Sequence, residues 1–121
     1  MSIKVLLADD TDIMRKAIRN LLSDEPEIEL VGEAMDFSET IRLTDHLRPQ
    51  VIVMDLHMPN RKNLTASDIK SHVAPAHSCL LAISVWDDEE TKKLATSFGA
   101  KHLLDKSKLG TELIPAILQC A

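Results

Sequence analysis

Asp9 and Asp10 stand side by side at the end of the apolar run "VLLADD". Two like charges at the edge of a core repel one another and lose hydration, so they need a reason to be there. Asp55 closes the run "VIVMD", Ser84 closes "CLLAIS", and Lys106 follows "KHLLD". Clustered carboxylates without a compensating arginine call for a cation, and all-oxygen donors with room for water suit Mg²⁺. Mg²⁺ keeps one or two protein carboxylates and fills its shell with water and phosphate oxygens, so it favours a phosphoryl group beside it. Lys106 can neutralise one phosphoryl oxygen and the Ser84 hydroxyl can donate to another. One carboxylate then remains as a nucleophile, the role carboxylates play in forming aspartyl phosphates.

That chemistry requires the five residues to meet, which is a demand on the elements that carry them. Five short apolar runs, "IKVLLA", "EIELVGEA", "VIVMD", "CLLAIS" and "KHLLD", alternate with five stretches of helical character. In "DIMRKAIRNLLSD" the residues Ile13, Met14, Ala17, Ile18, Leu21 and Leu22 recur at helical spacing, which predicts one stripe facing a core. A second helix is expected over Phe37 to Leu47, closed by Pro49, and a third within residues 64–72. A fourth covers residues 88–98 and stops at Gly99. The fifth starts near Thr111 and carries Leu113, Ile114, Ile117 and Leu118, with Pro115 near its first turn, where proline is tolerated.

Strict alternation of strand and helix implies a parallel sheet with helices on both faces. "VLLA", "VIVM" and "LLAI" are apolar throughout, as strands buried on both sides are, whereas "EIELVGE" is charged and suits an edge. The expected fold is therefore α/β, a doubly wound five-stranded sheet of flavodoxin-like (βα)5 form in the order 2-1-3-4-5. Such sheets hold ligands beyond the carboxyl ends of their strands, and Asp9, Asp10, Asp55, Ser84 and Lys106 all follow strand ends.

The totals narrow the function classes. The 121 residues suit one domain, and 45% hydrophobic composition supports a packed core made from aliphatic residues, since Trp86, Phe37 and Phe98 are the only aromatics. A net charge of −5 with scattered basic residues argues against this domain gripping nucleic acid by itself. The apolar runs are too short to span a bilayer, and "MSIKVLL" enters a strand rather than a cleavable signal. Cys79 and Cys120 make no disulfide framework, so a reduced, cytoplasmic setting is expected.

Each site residue also has a plainer reading. Asp9 and Asp10 alone would be a helix-capping pair. Asp55 alone would end a strand before the turn in "DLHMPN", and Ser84 and Lys106 would be solvated surface. Trp86 could simply pack at the base of the fourth helix, and His57 could be an exposed turn residue.

Taken jointly, the acidic pair, "DLHMPN", Ser84 and Lys106 match in type, order and spacing, and the chain resembles the receiver (CheY-like) domain of bacterial two-component response regulators. "DDTDIMRKAIRNLL" and "LGTELIPAIL" resemble most the receivers that precede LuxR-type helix-turn-helix domains. The resemblance implies that Asp55 accepts a phosphoryl group from a phosphohistidine on a sensor histidine kinase, or from a small phosphodonor. It implies Mg²⁺ held by Asp9, Asp10, Asp55 and the backbone carbonyl of His57, with Ser84 and Lys106 on the phosphoryl oxygens. His57 and Trp86 fall at the positions that tune phosphoryl loss by controlling water access. The implied protein is a switch rather than an enzyme acting on other substrates, and its partners are the kinase and, in some members, a second copy. DNA contact and transcriptional control would belong to an output domain outside this single receiver domain spanning residues 1–121.

Three residues depart from the family pattern. Leu103 occupies the position, three before the lysine, that usually holds the switching Tyr or Phe. Ser107 stands where proline, often after a cis bond, follows the lysine, so a trans bond here could carry Lys106 away from Asp55. Asn63 replaces a loop glycine. These departures leave room for a degenerate receiver that binds partners without phosphorylation. A phosphohydrolase with an aspartyl nucleophile is the more distant rival, because it wants a second acid where His57 stands.

Overall fold

The structure, a computed structural model, describes residues 2–61, 63–74 and 78–121. Strands β1 (Ile3–Ala8), β2 (Ile28–Ala34), β3 (Val51–Asp55), β4 (Cys79–Ser84) and β5 (His102–Asp105) alternate with helices α1 (Asp12–Leu22), α2 (Phe37–Leu47), α3 (Ala66–Val73), α4 (Glu89–Ser97) and α5 (Leu109–Cys120). The strands form one parallel sheet in the order β2-β1-β3-β4-β5, the order expected from the sequence, with β2 at an edge.

The inner strands are apolar over Val5–Ala8, Val51–Met54 and Cys79–Ile83 because both of their faces are covered there. Alternate side chains go to opposite sides: Val5, Leu7, Val51, Val53, Leu81 and Ile83 pack beneath Ile18 and Leu22 of α1 and Leu113 and Ile117 of α5. Leu6, Ala8, Ile52, Met54, Leu80 and Ala82 pack against Phe37, Ile69, Val73, Ala95 and Phe98 from the other three helices. The two phenylalanines of the chain meet edge-to-face in this second layer, with ring centroids 5.7 Å apart.

Local chemistry sets the helix ends. Thr11, Asp36, Thr65 and Asp88 each cap a helix N-terminus by accepting a backbone N–H three residues on, and Thr65 with Asp68 completes a capping box. α4 gives way to Gly99 at φ 82°, a left-handed backbone that suits glycine. In the loop after β3, the left-handed position is taken by Asn60 at φ 61°.

Three expectations are corrected. Ile13 and Ala17 of the predicted α1 stripe are exposed, Ile13 by 84%, because they lie to one side of the face on which Met14, Ile18, Leu21 and Leu22 meet the core. α5 begins at Leu109 after a 3₁₀ turn at Lys106–Lys108, which puts Pro115 in mid-helix rather than in its first turn. Cys79 and Cys120, expected as two reduced thiols, are paired: their sulfurs are in bonding contact and their Cα atoms lie 5.8 Å apart. Among the described residues, no helix is long and apolar enough to cross a membrane.

Candidate functional site at the carboxyl rim of the sheet

The parallel register brings the ends of β1, β3, β4 and β5 to one rim. Ala8 pairs with Met54, Asp55 with Ile83, and Ser84 with Asp105, so the residues leaving these strands share one edge of the sheet. Asp9, Asp10 and Asp55 each present a carboxylate oxygen there, and these oxygens lie within 4.8 Å of one another. Asp9 is fully buried, Asp55 is 5% exposed, and Asp10 is open to solvent.

Among the described residues, one cation faces them. The Lys106 ammonium lies 2.8 Å from Asp9 Oδ2 and 3.3 Å from Asp55 Oδ2. Asp9 Oδ1 is satisfied by the backbone N–H and hydroxyl of Thr11, at 3.0 and 3.1 Å. Among the described residues, that ammonium is all that serves the buried Oδ2 of Asp9. Asp55 Oδ1 accepts the His57 backbone N–H at 3.2 Å. Burial raises the Asp55 carboxyl above its ordinary pKa, and Lys106 and the His57 N–H oppose that shift without cancelling it. Burial alone would lower the Lys106 ammonium; its contacts with the Asp9 and Asp55 carboxylates outweigh that and raise it. Three clustered carboxylates against one ammonium, one of their oxygens dependent on it alone, form a donor set that a hard divalent cation can bridge.

The Lys106–Ser107 bond is trans, yet Lys106 reaches both acids. The cause lies in the turn itself. Asp105 Oδ1 accepts both the backbone N–H and the hydroxyl of Ser107, each at 2.8 Å, and this closes the 3₁₀ turn that aims Lys106 back over the sheet. A proline at position 107 could donate neither bond. The two bonds hold the Asp105 carboxyl below its ordinary pKa and keep this acid out of the cluster.

Ser84 is buried at the end of β4, and its hydroxyl oxygen accepts the Trp86 backbone N–H at 3.0 Å. The Trp86 ring is 54% exposed and meets the His57 ring edge-to-face at 4.9 Å between centroids, so neither side chain is core packing. Leu103 is half-buried and packs against the layer of α2, α3 and α4.

Arg15 is a residue that the sequence reading passed over. Its side chain is largely buried; Nη1 donates to the Asp9 carbonyl at 2.7 Å, and the guanidinium also pairs with Asp12 and, at 3.4 Å, with Glu33 of β2. This fork fixes the backbone on which the acidic pair sits. Its spacing from Asp12 on a helix that opens just after two aspartates is a signal that could have been read, whereas Glu33 could not, because the link depends on the β1–β2 register.

A family model described as the response regulator receiver domain matches residues 5–118. The chain is 33% identical over 115 residues to the transcriptional regulatory protein LiaR of Bacillus subtilis, covering 95% of this chain and 54% of that protein. It is 30% identical over 104 residues to a protein-glutamate methylesterase/protein-glutamine glutaminase of Pyrococcus abyssi, covering 86% of this chain and 28% of that one. The signal receiver domain of NarL from Mycobacterium tuberculosis superposes with a TM-score of 0.85 at 26% identity, covering 98% of this chain and 95% of that one. The chain thus spans about half of one curated relative and under a third of the other.

Proposed function

The chain belongs to the response regulator receiver domain family, and from that premise we propose that it is a phosphoryl-accepting switch whose acceptor is Asp55. The observation that carries this reading is the meeting of Asp9, Asp10 and Asp55 at the carboxyl rim of the sheet, with the Lys106 ammonium on Asp9 and Asp55.

Asp9, Asp10 and Asp55, with the backbone carbonyl of His57, are the residues that would hold Mg²⁺, which supplies charge compensation for the phosphoryl oxygens when bound. An Asp55 carboxylate oxygen attacks the phosphorus of a phosphohistidine on a histidine kinase, or of a small donor such as acetyl phosphate. The bond to the donor's imidazole nitrogen or carboxylate oxygen breaks as the acyl phosphate forms. Lys106, already within 3.3 Å of Asp55, pairs with a phosphoryl oxygen, and Ser84 donates its hydroxyl hydrogen to another while keeping the Trp86 N–H on its oxygen. The His57–Trp86 ring pair stands at the mouth and limits the approach of water to the acyl phosphate.

The relatives suggest two outputs. Likeness to LiaR supports a receiver that governs a transcriptional module of the LuxR type, and likeness to the methylesterase is the reason to keep an enzymatic module as the rival output. A receiver that binds partners without phosphorylation is the second reading, favoured by the aliphatic Leu103 in the switching position.

The test is intact mass after incubation with acetyl phosphate, with and without Mg²⁺, beside Asp55→Asn. One phosphoryl group that requires both the metal and Asp55 is expected. Absence of any adduct in a folded sample, with rapid hydrolysis excluded by quenching, selects the phosphorylation-independent reading.

A further inference from the structure

We infer that Cys79 and Cys120 are a reversible oxidation site that clamps the last turn of α5 to the start of β4. Cys79 is the first residue of β4 and is 3% exposed; Cys120 is the last residue of α5 and is half-buried against the same apolar layer. Their Cα atoms are 5.8 Å apart, inside the window of about 4.4–6.8 Å that a disulfide needs. The backbone therefore holds the two residues at a separation that a disulfide can span. The bond joins positions 41 residues apart and ties the last turn of a helix to the first residue of a buried strand.

The location gives the bond its meaning. Helix ends fray unless tied down, and the last turn of α5 holds the exposed Leu118 and Gln119 beside Cys120. Leu113 and Ile117 already anchor the middle of the helix, so oxidation acts on its final turn and on whatever docks there or follows it. Cys79 and Ser84 are opposite ends of β4, so the pair sits at the far end of the sheet from the acidic cluster.

Unequal access orders the chemistry. The Cys120 thiolate attacks a small-molecule disulfide such as oxidised glutathione, forming a mixed disulfide and releasing one glutathione thiolate. The buried Cys79 thiolate then attacks the Cys120 sulfur and releases the second. Two protein thiols are oxidised, one glutathione disulfide is reduced, and the two protons pass to the released thiolates. In a reducing compartment the same exchange runs backward.

The experiment equilibrates the fully reduced chain with oxidised glutathione and reads intact mass, alkylation by iodoacetamide and thermal unfolding. The expected product has lost two hydrogens, takes no alkyl group, and melts about 10 °C higher, as suits a crosslink closing a loop of this length in a chain of this size. Reduced glutathione reverses all three changes, and phosphoryl uptake from acetyl phosphate runs at the same rate in both states. Cys79→Ala keeps the reachable thiol and is expected to hold one glutathione on Cys120, with no closure. Two alkylatable thiols after oxidation, crosslinks only between chains, or a bond that reduced glutathione cannot open would each overturn the inference.

Discussion

At the scale of single residues, the site is a balance of charge that burial makes costly. Asp55 holds its proton more tightly in the folded chain than in the unfolded one. Between the unfolded and the raised folded pKa the native state therefore binds more protons, and its stability falls as pH rises through that window. Asp55→Asn removes this penalty. In metal-free buffer the variant is expected to match the parent in acid and to show a higher urea midpoint at pH 7, and equal midpoints at both pH values would refute the cause assigned to the shift. Lys106 presents the opposite case. Lys106→Met leaves the buried Asp9 and Asp55 carboxylates without their cation, which costs on the order of 3 kcal/mol. Added Mg²⁺ is expected to restore most of that loss and to bind the variant more tightly than the parent, as urea titrations with and without the metal would reveal. Asp9, Asp55 and Lys106 were legible in the sequence because strand ends on a parallel sheet converge by topology. The Asp105–Ser107 turn was not, because a serine in the usual proline position reads as a loss until its two hydrogen bonds to Asp105 are seen.

At the scale of elements, strand order was legible because both-sided burial leaves unbroken apolar runs, and only "EIELVGE" broke that pattern enough to mark the edge. Helix faces were less so. Periodicity admits a stripe wider than the face a neighbour covers, which is why Met14, Ile18 and Leu22 meet the core while Ile13, to one side of them, is bare. α5 shows a second limit. The turn at Lys106–Lys108 feeds straight into the helix and moves its start upstream, so a proline placed by sequence near the N-terminus falls in the interior. There Pro115 cannot donate to the Thr111 carbonyl and its ring crowds that turn. The residue is exposed, so nothing in the packing requires it. Pro115→Ala is expected to stabilise the chain by roughly 1–2 kcal/mol, the recovered helical bond being partly offset by the greater freedom of the unfolded chain. Chemical denaturation decides this, and a destabilised variant would mean that α5 needs the bend.

At the scale of the whole molecule, two devices grip opposite ends of one sheet. The acidic cluster lies at the carboxyl rim, and the cysteine pair joins β4 to α5 at the other end; the five residue steps of β4 from Cys79 to Ser84 at the rim span about 16 Å. Ligation at the rim stabilises only the native state, by about 1.4 kcal/mol when Mg²⁺ is at ten times its dissociation constant. The crosslink acts mainly by restricting the unfolded chain. Two effects on different states, at sites this far apart with no shared partner, are expected to add within about 0.5 kcal/mol. The measurement is a two-by-two set of unfolding curves, with and without Mg²⁺, oxidised and reduced. A larger coupling would mean that pinning α5 alters the geometry at Lys106, which immediately precedes that helix through the 3₁₀ turn. Additivity within that margin would mean that the crosslink leaves the geometry at Lys106 unchanged.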